Sequence, residues 1–145
     1  MTSLQRPVVR GLNHVTLAVA DLERSLAFYR DVLGLRVRAH WPEGAYLDAG
    51  GLWLCLSVDD AARTEPHPDY THVAFDVAAE DFDSLAGTIS ASSRSWKENR
   101  SEGLSLYFLD PDGHKLELHV GSLESRLAHY RANPKADRVL IDDRD

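Results

Sequence analysis

Between residues 11 and 19 the chain alternates. Val15, Leu17 and Val19 fall on one side of an extended strand, and Leu12, His14, Thr16 and Ala18 fall on the other. The period then changes from two to that of a helix. Asp21 stands where an N-cap is wanted, Leu22, Leu26, Tyr29 and Leu33 recur at helical spacing, and Gly34 suits the exit. Short alternating runs follow at 36–40, 45–49 and 52–58, separated by the turn signals Pro42-Glu43-Gly44 and Gly50-Gly51. The pattern predicts one helix and four strands in the order βαβββ.

The same pattern then returns. After a polar stretch at 59–69 that reads as a linker, residues 71–77 alternate, with Val73, Phe75 and Val77 on one face and Tyr70, His72 and Ala74 on the other. A second helix carries Phe82, Leu85, Ala86 and Ile89, and further strands end in Lys115-Leu116-Glu117-Leu118-His119 after the turn Asp110-Pro111-Asp112-Gly113. In that last strand the leucines face one way and Lys115, Glu117 and His119 the other. Residues 13–19 lie over 71–77 with a shift of 58, His14 on His72. Aligning the later strands on Asp48 and Asp110 puts Gly51 over Gly113 and Cys55 over Glu117, so the repeat breaks its symmetry at a position able to do chemistry. An internal duplication of a βαβββ unit is expected, an α+β fold with mixed sheet. The organisation read from the chain is a flexible lead at 1–10 and one domain at 11–132. The domain holds a first module at 11–58, a second at 70–120 and a terminal helix at 122–132 carrying Leu123, Leu127 and Tyr130. A frayed tail at 133–145 follows Pro134.

Composition narrows the function. The 145 residues include 16 basic and 23 acidic side chains, a net charge of −7, which argues against nucleic acid or an anionic membrane as the main partner. Cys55 stands alone, the start lacks the apolar run of a signal peptide, and no stretch reaches the roughly 20 apolar residues that span a bilayer. A soluble cytoplasmic protein is expected.

Each helix must bury its stripe against the apolar face of its own sheet, which turns the other faces away. His14, His72 and Glu117 all fall on those other faces. Two imidazoles and a carboxylate make a divalent-metal site with positions left open for water or substrate, and such a donor set suits manganese, iron, zinc or nickel alike. The alternative is three independent hydrogen-bonded polar groups. Equivalent histidines in both halves of a repeat favour the metal.

At this point the chain resembles a known family. The paired βαβββ units with His…His…Glu resemble the vicinal oxygen chelate superfamily, and residues 11–34, 45–57, 69–75 and 96–127 resemble fosfomycin resistance proteins of the FosA type. What this implies is placed residue by residue. His14, His72 and Glu117 match manganese ligands, with His14 coming from the opposite subunit of a domain-swapped homodimer. Thr16 matches a threonine proposed to act near the phosphonate and help with proton removal. Lys97, Ser101, Tyr107 and Arg126 match positions that hold phosphonate oxygens, and Asn99, Ser101, Glu102, Gly103 and Ser105 match a potassium-binding loop. Trp53 and Tyr70 match further pocket residues, with Trp41 and Tyr46 nearby.

The charge argument agrees: a chain of net charge −7 needs local cations to hold a phosphonate, and Lys97, Arg100, Arg126 and a bound metal supply them. Read as solvated surface charges, Lys97 and Arg100 would do nothing, and Arg126 would pair with Glu124 or an aspartate. The implied reaction is opening of the fosfomycin epoxide by glutathione. Cysteine, bacillithiol or water remain rival nucleophiles, and an isomerase, a dioxygenase or a metal-free drug-binding protein of the same fold remain rival classes. The hydrolase subfamily resembles this chain but carries a glutamate base where Gly44 stands, which favours a thiol.

Overall fold

The computed structural model describes residues 6–100 and 102–141, and the chain divides after Ala62 into two compact units. Each unit is one βαβββ repeat. The first runs β1 (His14–Val19), α1 (Leu22–Leu26), β2 (Arg36–Trp41), β3 (Gly44–Ala49) and β4 (Leu52–Val58); the second runs β5 (Val73–Asp76), α2 (Phe82–Ser90), β6 (Ser95–Lys97), β7 (Ser105–Leu109) and β8 (Lys115–His119). The sheets have the same topology, β1-β4-β3-β2 and β5-β8-β7-β6, each with one parallel pair formed by the first and last strands. The duplication expected from the 58-residue shift is therefore present in the strand pairing itself.

Local chemistry explains the first unit. The Asp21 carboxylate accepts from the Arg24 N–H at 3.2 Å and starts α1, which continues as a π-helical stretch at Ala27–Val32. The sequence pattern does not anticipate that widening; the bond from the Leu33 N–H to the Phe28 carbonyl at 3.0 Å belongs to it. Gly34, at φ +78°, closes the helix as expected. The stripe Leu22, Leu26 and Tyr29 is buried, α1 packs on β4, and Leu54 and Leu56 of β4 with Leu17 and Val19 of β1 complete the core. Gly50 and Gly51, at φ +62° and +102°, make the two-residue turn between β3 and β4.

In the second unit Phe82 and Ile89 of α2 are buried with Phe108, Leu116 and Leu118, each such aliphatic or aromatic side chain contributing roughly 1.5–3 kcal/mol by leaving water. Alternation then puts Tyr107 and Glu117 on the opposite face, paired across β7 and β8 and almost fully buried themselves. A terminal helix, α3 (Leu123–Ala132), starts from a capping box in which Ser122 and Ser125 each bond the other's backbone N–H, at 3.1 and 2.8 Å.

Five details differ from the sequence reading. β1 and β5 are shorter than expected and leave residues 11–13 and 71–72 outside the ladder. The β3 and β7 alignment on Asp48 and Asp110 is one residue out: Asp48 pairs with Trp53 where Leu109, not Asp110, pairs with Lys115. The second hairpin loop is longer, because the Asp110 carboxylate accepts from the N–H groups of both Asp112 and His114 and needs the extra residue to do so. Lys97, read as a loop residue, ends strand β6. Leu123, read as part of an apolar stripe, is 71% exposed.

Candidate metal centre and its flanking cations

The corrected register shows what the duplication changed. In the first unit Cys55 is flanked on neighbouring strands by Thr16 and Tyr46; in the second, Glu117 is flanked by Ala74 and Tyr107. Ala74 is small enough to leave room beside the carboxylate. An acid has replaced the thiol at one end of an otherwise parallel layout.

Glu117 is only 7% exposed and both its oxygens are occupied. Its Oε1 lies 3.0 Å from His72 Nε2, and its Oε2 accepts from the Ser105 hydroxyl at 2.7 Å. The His72 Nδ1 sits 2.7 Å from the Tyr70 carbonyl oxygen, which can only accept, so Nδ1 carries the proton. In the neutral ring Nε2 then presents a lone pair to a carboxylate oxygen. Two acceptors facing each other call for a cation between them, which is the fit a divalent metal meets. On the other side, Ser105 gives its one proton to Glu117, so the bond of 2.6 Å between Ser105 Oγ and His119 Nδ1 is donated by the histidine. His119, Ser105 and Glu117 form a directed chain that fixes the carboxylate's rotation.

His14 belongs to the first unit and is prepared in the same way. Its Nδ1 lies 2.7 Å from the Asn13 side-chain oxygen, which leaves Nε2 as the free acceptor. The ring stacks on Trp53 at 4.4 Å, and Trp53, Tyr46 and Trp41 continue as an edge-to-face series at 5.1 and 4.9 Å. These side chains, with Thr16 and Cys55, line an open cleft of about 540 Å³. Among the described residues, no group of three or more His, Cys, Asp or Glu side chains is gathered for a metal within the chain; the joined pair is His72 with Glu117.

The candidate phosphonate-binding residues also lie in the second unit. Lys97 donates to the Tyr70 hydroxyl at 2.5 Å and stands over the rings of Tyr70 and Tyr107, 4.6 Å from each centroid. The bond to Tyr70 holds the ammonium's pKa above its ordinary value. Arg126 donates from Nε to Glu102 at 2.9 Å, not to Glu124, and its pKa is raised first by Tyr130 and then by Glu102. The Asn99 amide closes the following loop onto the Gly103 carbonyl at 2.9 Å. Ser101 lies outside the described residues. Ser105, assigned from the resemblance to a potassium loop, is a strand residue whose hydroxyl serves Glu117. Two participants went unnamed as site residues, His119 and Trp96, although alternation already put His119 on Glu117's face. Trp96 packs its ring against Tyr107 at 5.1 Å and His72 at 5.3 Å and anchors its N–H on the Leu116 carbonyl at 2.9 Å.

Two βαβββ repeats that carry tautomer-fixed histidines and a buried acid on their open faces define the class. Residues 11–118 match the Glyoxalase/Bleomycin resistance protein/Dioxygenase superfamily, and the chain belongs to that superfamily. Within it, the chain is 53% identical over 139 residues to the glutathione transferase FosA of Serratia marcescens, covering 94% of this chain and 99% of that protein. It is 38% identical to the metallothiol transferase FosB of Staphylococcus haemolyticus, over 86% of this chain and 93% of the other. Among solved structures, it resembles a point variant of the genomically encoded fosfomycin resistance protein FosX from Listeria monocytogenes, complexed with Mn(II) and 1S,2S-dihydroxypropylphosphonic acid. That match has a TM-score of 0.75 and 31% identity, over 85% of this chain and 99% of that one.

Proposed function

We propose that the chain is a metal-dependent glutathione transferase that opens the epoxide of fosfomycin and so inactivates it. The observation that carries this reading is the His72–Glu117 pair, two acceptors held 3.0 Å apart in a chain 53% identical to a glutathione transferase. His72, Glu117 and His14 would hold the metal, His14 supplied by the partner in a homodimer. Manganese rests on the Mn(II) in the FosX structure, since the donor set itself admits other divalent ions. When bound, the metal supplies Lewis acidity to the epoxide oxygen as its bond to carbon breaks.

The chain's own residues bind and orient. Lys97 and Arg126 offer cationic donors to the phosphonate, and the hydroxyls of Tyr70 and Tyr107 and of Ser101 add neutral ones. Thr16, in the cleft lined by His14, Trp53 and Tyr46, orients the reacting end of the substrate and assists deprotonation of the incoming thiol. The thiolate attacks an epoxide carbon, the carbon–oxygen bond breaks, and the oxygen leaves as an alkoxide that takes up a proton. A potassium ion held by the loop of Asn99, Ser101, Glu102 and Gly103 would add positive charge beside the phosphonate, the Ser105 hydroxyl being kept by Glu117. Among the described residues no helix is long and apolar enough to cross a membrane, and we place the reaction in the cytoplasm, where glutathione is kept reduced.

Gly44 supports thiol over water. A Cβ there would meet the Leu56 carbonyl oxygen at 2.8 Å and the Trp41 ring at 2.9 Å, so the glutamate base of the hydrolases the chain resembles could enter only by displacing them. The test is a product assay by mass with manganese, potassium and fosfomycin, run with glutathione, cysteine, bacillithiol or water alone. A metal-dependent glutathione adduct is expected, whereas diol formed without thiol would replace this reading with hydrolysis. Mixing a His14→Ala chain with a Glu117→Gln chain tests the shared site: recovered activity in the mixture is the expected sign of a ligand crossing between subunits.

A further inference from the structure

We propose that Lys115 is a positioning residue that holds His72 in register with Glu117 by clamping the loop in front of β5; this rests on the reading of His72 and Glu117 as metal ligands. The two histidines are not supported in the same way. His14 lies inside its ladder, paired with Trp53. In the second unit the ladder begins at Val73 opposite Leu116. Extending that register by one would set His72 opposite Lys115, but the pairing stops first. The ladder therefore stops one residue short of His72, and the loop that leads into it lies outside the sheet.

Side chains of the last hairpin fix it instead. Lys115 Nζ reaches from β8 to the Asp69 carbonyl at 2.6 Å, passing the Trp96 ring at 5.0 Å from its centroid. The Asp69 carboxylate accepts from the Thr71 N–H at 3.1 Å and folds the loop into an Asx turn, and that bond lowers its pKa. The Tyr70 carbonyl then receives His72 Nδ1, setting the tautomer. One turn earlier, Gly113 sits so close to the chain at Glu65 and Pro66 that an added Cβ would lie 3.1 Å from both. The segment from 65 to 72, which spans the end of the stretch read as linker at 59–69 and the start of the strand expected at 71–77, is thus seated on the β7–β8 hairpin at two points. Trp53, the residue that stands in place of Lys115 in the first unit, packs its ring against His14 instead.

Electrostatics make the role separable. A cation two residues from Glu117 on the same face opposes a divalent metal by simple repulsion. If Lys115 acted only as a charge, removing it would tighten metal binding; if it positions His72, removing it weakens binding.

The experiment compares the parent with Lys115→Met, Lys115→Arg and His72→Ala, measuring Mn(II) affinity by titration calorimetry and amide exchange at Thr71 on metal-free protein. Lys115→Met is expected to bind Mn(II) roughly tenfold more weakly, the scale of lost support behind a ligand, and to exchange Thr71 faster, with Lys115→Arg close to the parent in both. Unchanged or tighter Mn(II) binding in Lys115→Met, or unchanged Thr71 exchange, would overturn the proposal. If His72→Ala binds Mn(II) like the parent, the ligand reading fails on its own, and the exchange at Thr71 still decides whether Lys115 clamps the loop.

Discussion

Ser105 and Glu117 are joined by a hydroxyl-to-carboxylate bond of 2.7 Å across adjacent strands; the carboxylate can only accept, so the hydroxyl proton points to it and His119 Nδ1 on the far side donates to Ser105. Removing the hydroxyl frees the carboxylate to rotate and leaves a buried oxygen without its donor. Ser105→Ala is therefore expected to weaken Mn(II) binding by about 10- to 100-fold while the fold is retained. Titration calorimetry with circular dichroism checks it. Parent-like affinity would mean that Ser105 does not hold Glu117.

Glu117 itself is the sharper case. Glu117→Gln preserves size and packing but removes the anionic oxygen that faces His72 Nε2, and the amide now has a proton to offer that nitrogen. The two acceptors would satisfy one another directly and no longer call for a cation. Metal content after purification and epoxide opening should both collapse, with thermal stability equal to or above that of the metal-free parent. A Glu117→Gln chain that retains full metal content would remove Glu117 from the site.

The order of elements was legible because hydrophobic period is a local property. The shift from alternation before Val19 to helical spacing from Leu22, and its return at His72, is visible without any contact being known. Register was less legible. The one-residue offset between β3 and β7 depends on how Asp110 folds its turn, and a sequence alignment that matches Asp48 to Asp110 has no means of seeing it. The site was legible as a set of faces: Lys115, Glu117 and His119 share one by alternation alone. What Ser105 bonds to was not, since its hydroxyl meets Glu117 only through pairing between strands that the chain separates by a turn. Leu123 shows the opposite limit: its helical position was right and its burial was not, because burial is decided by what lies opposite.

Lys97 carries a prediction in pH. Its bond to the Tyr70 hydroxyl raises the folded-state pKa above the ordinary lysine value of 10.5. A raised value on a base means that its contribution to stability is fully present below the unfolded pKa and is lost as pH rises through the folded one. The parent should thus keep Lys97 charged to higher pH than an unbonded lysine, and Tyr70→Phe should move the titration down. The Lys97 Cε chemical shift followed by NMR in alkaline solution reads this directly. Coincident curves in the two proteins would show that Tyr70 does not hold the ammonium.

Ser122 offers a test confined to α3. Its hydroxyl accepts from the Ser125 N–H, so Ser122→Ala leaves that donor at the helix start with only water, while the Ser125 hydroxyl still caps the N–H of residue 122. A loss of about 1 kcal/mol is expected in denaturant unfolding, with Mn(II) affinity unchanged. A change in Mn(II) affinity would show that α3, which carries Arg126, is coupled to the His72–Glu117 pair.

Gly44 joins stability to chemistry. It lies in β3 opposite Ser57 with no positive φ, so its need for glycine comes from space and not from backbone conformation. An alanine Cβ would overlap the Leu56 carbonyl, which belongs to a central strand and cannot retreat, and the Trp41 ring, which can. Overpacking of this kind costs roughly 1–3 kcal/mol. Displacing Trp41 also disturbs its edge-to-face contact with Tyr46 at 4.9 Å, and with it the cleft beside His14. Gly44→Ala is therefore expected to lower the denaturant midpoint and shift tryptophan fluorescence, while the second-unit pair of His72 and Glu117 is left intact. Gly44→Glu should unfold more easily still and gain no hydrolase activity, because a carboxylate forced in at this point displaces the aromatic wall before it can present a base to water. Diol production by a stably folded Gly44→Glu chain would show instead that the aromatic wall yields and that this one position separates water from thiol as the nucleophile.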